Sequence, residues 1–116
     1  MILNEIKEKL LEVDPNVYYG KVDSAIRESR WDYIVFDRRR IRPSENKTSY
    51  SHYYAVHIVR ESFVPDGLER EVINKMLEID GMRLAGTDLT FDYAPKPNTD
   101  EIVEMVTIEF VKAIRV

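Results

Sequence analysis

The apolar residues of this chain change their spacing three times, and those changes limit what it can fold into. From residue 2 to 13 they recur every three or four positions, as Ile2, Ile6, Leu10 and Val13, with Leu3 and Leu11 widening the stripe. That period predicts an amphipathic helix. Glu5 and Lys9 sit on its polar side at a favourable i,i+4 spacing. Asp14 precedes Pro15, which pushes it out of the helical region and predicts a stop near Val13. Residues 16–22 are rich in Val and Tyr and predict a short strand interrupted by Gly20. Residues 23–30 carry only Ile26 as an apolar anchor and are expected to form a loop.

The period then becomes two. Between Trp31 and Arg42, Ile34 and Phe36 face one way and Tyr33 and Val35 the other; between His52 and Ser62, Tyr54, Val56 and Ile58 share a face. The stretch Pro43 to Ser49 between them is turn chemistry, so an antiparallel hairpin with a long polar connection is expected. Helical spacing returns after Pro65-Asp66-Gly67, as Leu68, Val72, Met76 and Ile79, and Asp80-Gly81 closes that helix. Two further strands are predicted, residues 82–93 kinked at Gly86 and residues 102–116, separated by the turn 94–100. On the last of them Val106, Ile108 and Phe110 oppose Thr107 and Glu109. The order helix, three strands, helix, two strands predicts an α+β fold, a mostly antiparallel sheet with helices on one face.

At 116 residues this is one domain, 1–116, able to bury roughly two-thirds of its unfolded surface. With 44% apolar and 33% charged residues the balance is that of a globular chain, not a disordered one. No cysteine is present, which excludes disulfides, thiolate metal sites and cysteine nucleophiles. No apolar run approaches the ~20 residues of a membrane span, and the start is charged too early for a signal peptide. Composition thus predicts a soluble intracellular protein. The net charge of -4 is unevenly spread: residues 31–60 are locally basic and residues 61–116 strongly acidic.

Arg38-Arg39-Arg40-Ile41-Arg42 is the strongest local signal. Regular alternation would put Arg38, Arg40 and Arg42 on one face about 7 Å apart, a spacing suited to phosphates or an acidic protein surface. The alternative is a solvated strand end whose like charges discourage edge pairing. Seven tyrosines, Tyr18, Tyr19, Tyr33, Tyr50, Tyr53, Tyr54 and Tyr93, could stack bases on a sheet beside the arginines. The signature of RNA-recognition sheets is missing, which favours a mix of core aromatics and an interface patch. His52 and His57 are five residues apart on a strand, hence on opposite faces, which argues against a shared metal. Asp88, Asp92, Glu104 and Glu109 are candidates for paired carboxylates, but no hydrolase motif or phosphate-binding glycine loop accompanies them. No catalytic, metal or cofactor site is expected.

The layout as a whole is informative. A helix ends before Val17-Tyr18-Tyr19-Gly20; a strand Trp31-Asp32-Tyr33-Ile34-Val35-Phe36 follows, then a polar loop, the strand 52–61, the helix 68–79 and two closing strands. In order, length and strand character this resembles, over the whole chain, the tail-terminator or tail-completion proteins of long-tailed bacteriophages and prophages, which join tail to head. The resemblance implies a structural virion-assembly role without enzymatic activity or cofactor. It implies a ring of copies, commonly hexameric, assembled in the bacterial cytoplasm and carried in the virion. The implied partners are the tail tube protein and the head–neck connectors, with DNA passing the lumen unbound. A ring interface is heterologous and needs two complementary patches. The candidate pair is a basic one, Arg38, Arg40 and Arg42 with Tyr50 and Tyr53, and an acidic one, Asp100, Glu104 and Glu109. The polar loop 43–51 is expected to become ordered against a neighbour. Two other readings compete: a small nucleic-acid-binding α+β module using the 38–42 strand, and a small hydrolase with carboxylates on its last hairpin.

Overall fold

A computed structural model describes residues 1–22, 31–46, 48–86, 88–96 and 98–115. The expectation of a loop at 23–30 lies outside those residues. The first helix, α1 (Ile2–Leu11), buries Ile6 and Leu10 and ends where Val13 and Asp14 donate their amides to the Leu10 carbonyl. Strand β1 (Val17–Tyr19) is shorter than predicted, because Gly20 adopts a positive φ of 81° and turns the chain. Strands β2 (Tyr33–Pro43) and β3 (Ser49–Glu61) form the hairpin. Its connection is shorter than the sequence suggested: residues 49–51 already belong to β3, in register with Pro43 and Arg42. Asn46 organises the turn, its Oδ1 accepting from the Ser44 hydroxyl, the Thr48 amide and the Thr48 hydroxyl. The second helix, α2 (Leu68–Met76), begins after Gly67, which takes a φ of 92° at the N-cap, and it stops at Met76, short of the expected close after Ile79. It carries Glu69 and Glu71 in its first turn and Lys75 in its last, as the helix dipole favours.

The predicted 82–93 strand is two strands, β4 (Met82–Leu84) and β5 (Thr90–Pro95), both paired with β6 (Ile102–Arg115). Since β3 occupies the other side of β6 along its length, β4 and β5 share one edge. Met82 lies opposite Lys112; an unbroken strand would set Thr90 opposite Glu104, yet Thr90 faces Thr107. The chain slips by three residues around Gly86, whose φ is +79°. The slip lets Leu89 pack against the core.

Sheet order is β1-β2-β3-β6, then β4 and β5, with β1 parallel to β2 and the other pairs antiparallel. The core lies between one sheet face and the two helices. Phe36, Tyr54, Ile58, Ile108 and Phe110 meet Ile6, Leu10, Val72 and Met76 there. Links from Lys9 to Glu78 (2.8 Å) and from Lys75 to Glu12 (3.0 Å) hold the helices together at the surface. The second face carries a smaller cluster of Val22, Tyr33, Val35, Val59 and Val103. Among the described residues no helix is long and apolar enough to cross a membrane. The molecule is elongated, 53 × 26 × 24 Å.

Candidate interaction interface

The arginines do not share a face. Arg38 lies opposite Tyr54 but Arg40 lies opposite Tyr53, so β2 holds one extra residue at Arg39, a β-bulge. The bulge inverts the alternation. Arg38 stays on the helix-bearing side with Phe36, and its Nε donates to the Tyr19 hydroxyl at 3.1 Å. Arg40 and Arg42 turn to the second face, where their guanidinium carbons lie 4.0 and 5.7 Å from the centroid of the Tyr53 ring. Two cations over one ring form a cation–π pair. The expected three-arginine row is corrected to a pair, with Arg38 behind it.

The acidic candidates separate as well. Glu109 is not part of an outward acidic patch: its Oε1 pairs with Arg40 Nη1 at 3.2 Å within the same chain. Glu104 is a structural acceptor, taking the Val64 amide at 2.7 Å and the Tyr93 hydroxyl. Asp100 is exposed in the turn between β5 and β6, beside Glu101. There Lys96 binds the Glu61 carboxylate and reaches Glu101 at 3.3 Å. Through that bond to Lys96, Glu61 titrates below the ordinary carboxylate value and Lys96 above the ordinary amine value.

Register fixes how far apart the two charged regions lie. Arg42 lies opposite Ser51, which lies opposite Ala113, and Pro95 lies opposite Ile102. From Ala113 to Ile102 along β6 is about 36 Å at the rise of a strand, with Asp100 further still. Arg38, Arg39, Arg40 and Arg42, with Arg115 across the sheet, gather at the hairpin end, where Tyr50 pairs with Pro43 and Ile114. Glu61, Asp92, Asp100 and Glu101 gather at the other end. The sheet is charged oppositely at its two ends.

Sequence reasoning missed a polar row on the second face. His57 Nε2 lies 3.0 Å from Asp37 Oδ2 and 2.8 Å from Arg39 Nη2, and His57 Nδ1 lies 2.9 Å from Thr107 Oγ1. Arg39 Nε also lies 3.1 Å from Asp37 Oδ1. An imidazole between a carboxylate and a hydroxyl is a relay arrangement, yet its Nε2 is shared with a guanidinium, so the cluster locks the bulge in place. Only the strand register, with His57 opposite both Val35 and Thr107, makes this row visible. His52 lies on the other face, opposite Ile41 and Lys112. Asp92 lies opposite Met105, four steps along β6 from Glu109 and so about 13 Å from it, and the two form no carboxylate pair. Among the described residues no three His, Asp or Glu side chains gather as a metal site.

No protein-family model matches the sequence, and no curated protein matches it.

Proposed function

We propose that this chain is a structural assembly subunit that associates head to tail with copies of itself. In the fuller reading it forms the ring that closes a phage tail tube and joins it to the head. The observation that carries this reading is the opposite charge at the two ends of the sheet in a molecule 53 Å long. One copy cannot bring those ends together, whereas two copies in the same orientation can. Such contacts are heterologous, and they close into rings when the rotation between copies permits. Complementary charge steers the encounter and sets its polarity.

Reversal of charge tests it. Arg42→Glu with Arg38→Glu should abolish association in sedimentation velocity at low salt while the circular dichroism spectrum is kept. Asp100→Lys with Glu101→Lys should do the same, and mixing the two variants should restore one contact and give dimers. Association unaffected by either reversal would overturn the reading.

A nucleic-acid reading draws on one observation, the Arg40 and Arg42 pair over Tyr53, a platform on which a base or phosphate can settle. Fluorescence polarisation with single-stranded oligonucleotides separates the two. Nucleic-acid binding must fall steeply with salt in proportion to phosphate contacts and must survive Asp100→Lys.

A further inference from the structure

Among the described residues each charged end also carries a free stretch of sheet edge, the outer side of β5 at one and the outer side of β2 beyond β1 at the other. Strand β6 is saturated: in an antiparallel ladder each residue bonds to only one neighbour, and its sides divide between β3 and β4/β5. The Lys96 amide donates to the Glu101 carbonyl at 2.9 Å, which places that pair among the hydrogen-bonded ones. Counting back along β5 by alternation, the amides and carbonyls of Phe91 and Tyr93 point away from β6. Their side chains are 48% and 61% exposed. At the other end β1 covers β2 only as far as the Gly20 amide on the Phe36 carbonyl. Among the described residues no strand pairs the outer side of residues 37–43. The Ser44 amide on the Ser49 carbonyl sets the alternation there, and it leaves the amide of Ile41 pointing outward. Ile41 is 57% exposed.

We propose that the copies join edge to edge: the outer edge of β5 in one subunit pairs with the basic outer edge of β2 in the next, and the sheet continues through the contact. This rests on the head-to-tail reading and gives it a geometry. Charge selects the occupant. Two β2 edges bring Arg38 to Arg42 against the same cations, which is the repulsion that keeps free edges from pairing with themselves. The β5 edge presents Asp92 instead. Beside β5 lies an apolar depression of about 240 Å³ floored by Trp31, Tyr33, Val59 and Met105, in which Asp92 is the one charged lining residue among the described residues. An apolar floor with a carboxylate at its rim fits the stem and head of an arginine. Pro95 at one edge and Pro43 at the other lack the amide that would extend the ladder, so the shared run is short on both sides. The edges lie on opposite sides of the sheet, so each copy offers one of each.

The absence of cysteine makes the test direct. Ile41→Cys is mixed with Phe91→Cys or with Tyr93→Cys under mild oxidation, and Glu69→Cys on α2 serves as the off-edge control. A disulfide needs Cα atoms within about 7 Å, so only adjacent strands cross-link. Expected is a covalent dimer from Ile41→Cys with one of the β5 variants, and none from Ile41→Cys alone or with Glu69→Cys. If the unsubstituted protein self-associates in sedimentation but neither mixture cross-links above the control, the edge pairing is overturned and the head-to-tail reading stands. If the unsubstituted protein stays monomeric at every concentration and nothing cross-links, both are overturned.

Discussion

Asp14 shows how one side chain can serve two purposes. Its position before Pro15 stops α1, and its carboxylate is then almost fully buried, 4% exposed. Oδ1 accepts the Asn16 amide at 2.7 Å and Oδ2 pairs with Arg60 Nη2 at 2.6 Å. Arg60 in turn donates to the Val59 carbonyl at 2.8 Å. The pair ties the end of α1 to β3. Removing one partner strands a buried charge, so Asp14→Ala should cost about 3–5 kcal/mol in urea unfolding. Tyr54 is the converse case. Its hydroxyl is buried and has no hydrogen-bond partner among the described residues, while its ring fills the core. Tyr54→Phe should therefore leave Tm unchanged or raise it, because an unsatisfied buried hydroxyl costs about 1–3 kcal/mol. Neither role was legible in the sequence. The helix stop at Asp14 follows from the next residue alone, but its partner lies on β3, and only tertiary structure brings Arg60 to it.

Elements whose signal is local were read correctly, as was the antiparallel β2–β3 hairpin, while the irregularities set by pairing were not. The two helices and the faces of Ile34, Phe36, Val56, Ile58 and Ile108 follow from period alone. The bulge at Arg39 does not, since nothing in a run of three arginines marks which one is extra; the Asp37, His57 and Arg39 cluster across two strands decides it. Hence the predicted row of arginines was wrong while the strand that carries it was right. The slip at Gly86 belongs to the same class: a glycine announced a kink, but the length of the detour depends on β6. At the acidic turn, the Lys96 bond lowers the titration of Glu61 from its ordinary 4.5. A depressed carboxylate contributes stability that is present above 4.5 and is lost as pH falls through its lowered folded value. The β5–β6 turn should therefore loosen in acid, read as amide exchange at Thr99 and Glu101, and Lys96→Gln should remove that step.

On the scale of the whole molecule the decisive property is polarity. The basic middle and acidic remainder of the sequence were visible as charge counts, but counts place nothing in space. Folding sends the two regions to opposite ends and spends part of their charge inside the subunit, Arg40 with Glu109, Arg39 with Asp37, and Lys96 with Glu61 and Glu101. Because the rest is solvent-facing, added salt should weaken self-association progressively, with most of the loss between 50 and roughly 300 mM as the Debye length drops below about 10 Å. Light scattering across that range checks it; association that is indifferent to salt would mean apolar contact dominates.

The place of β6 has a consequence for synthesis. The strand that joins both halves of the sheet is made after every other element described here, so a nascent chain emerging from the ribosome can form its hairpin and helices but cannot close its core. Until then the inner side of β3 stands unpaired, and chaperones have their longest opportunity to bind it.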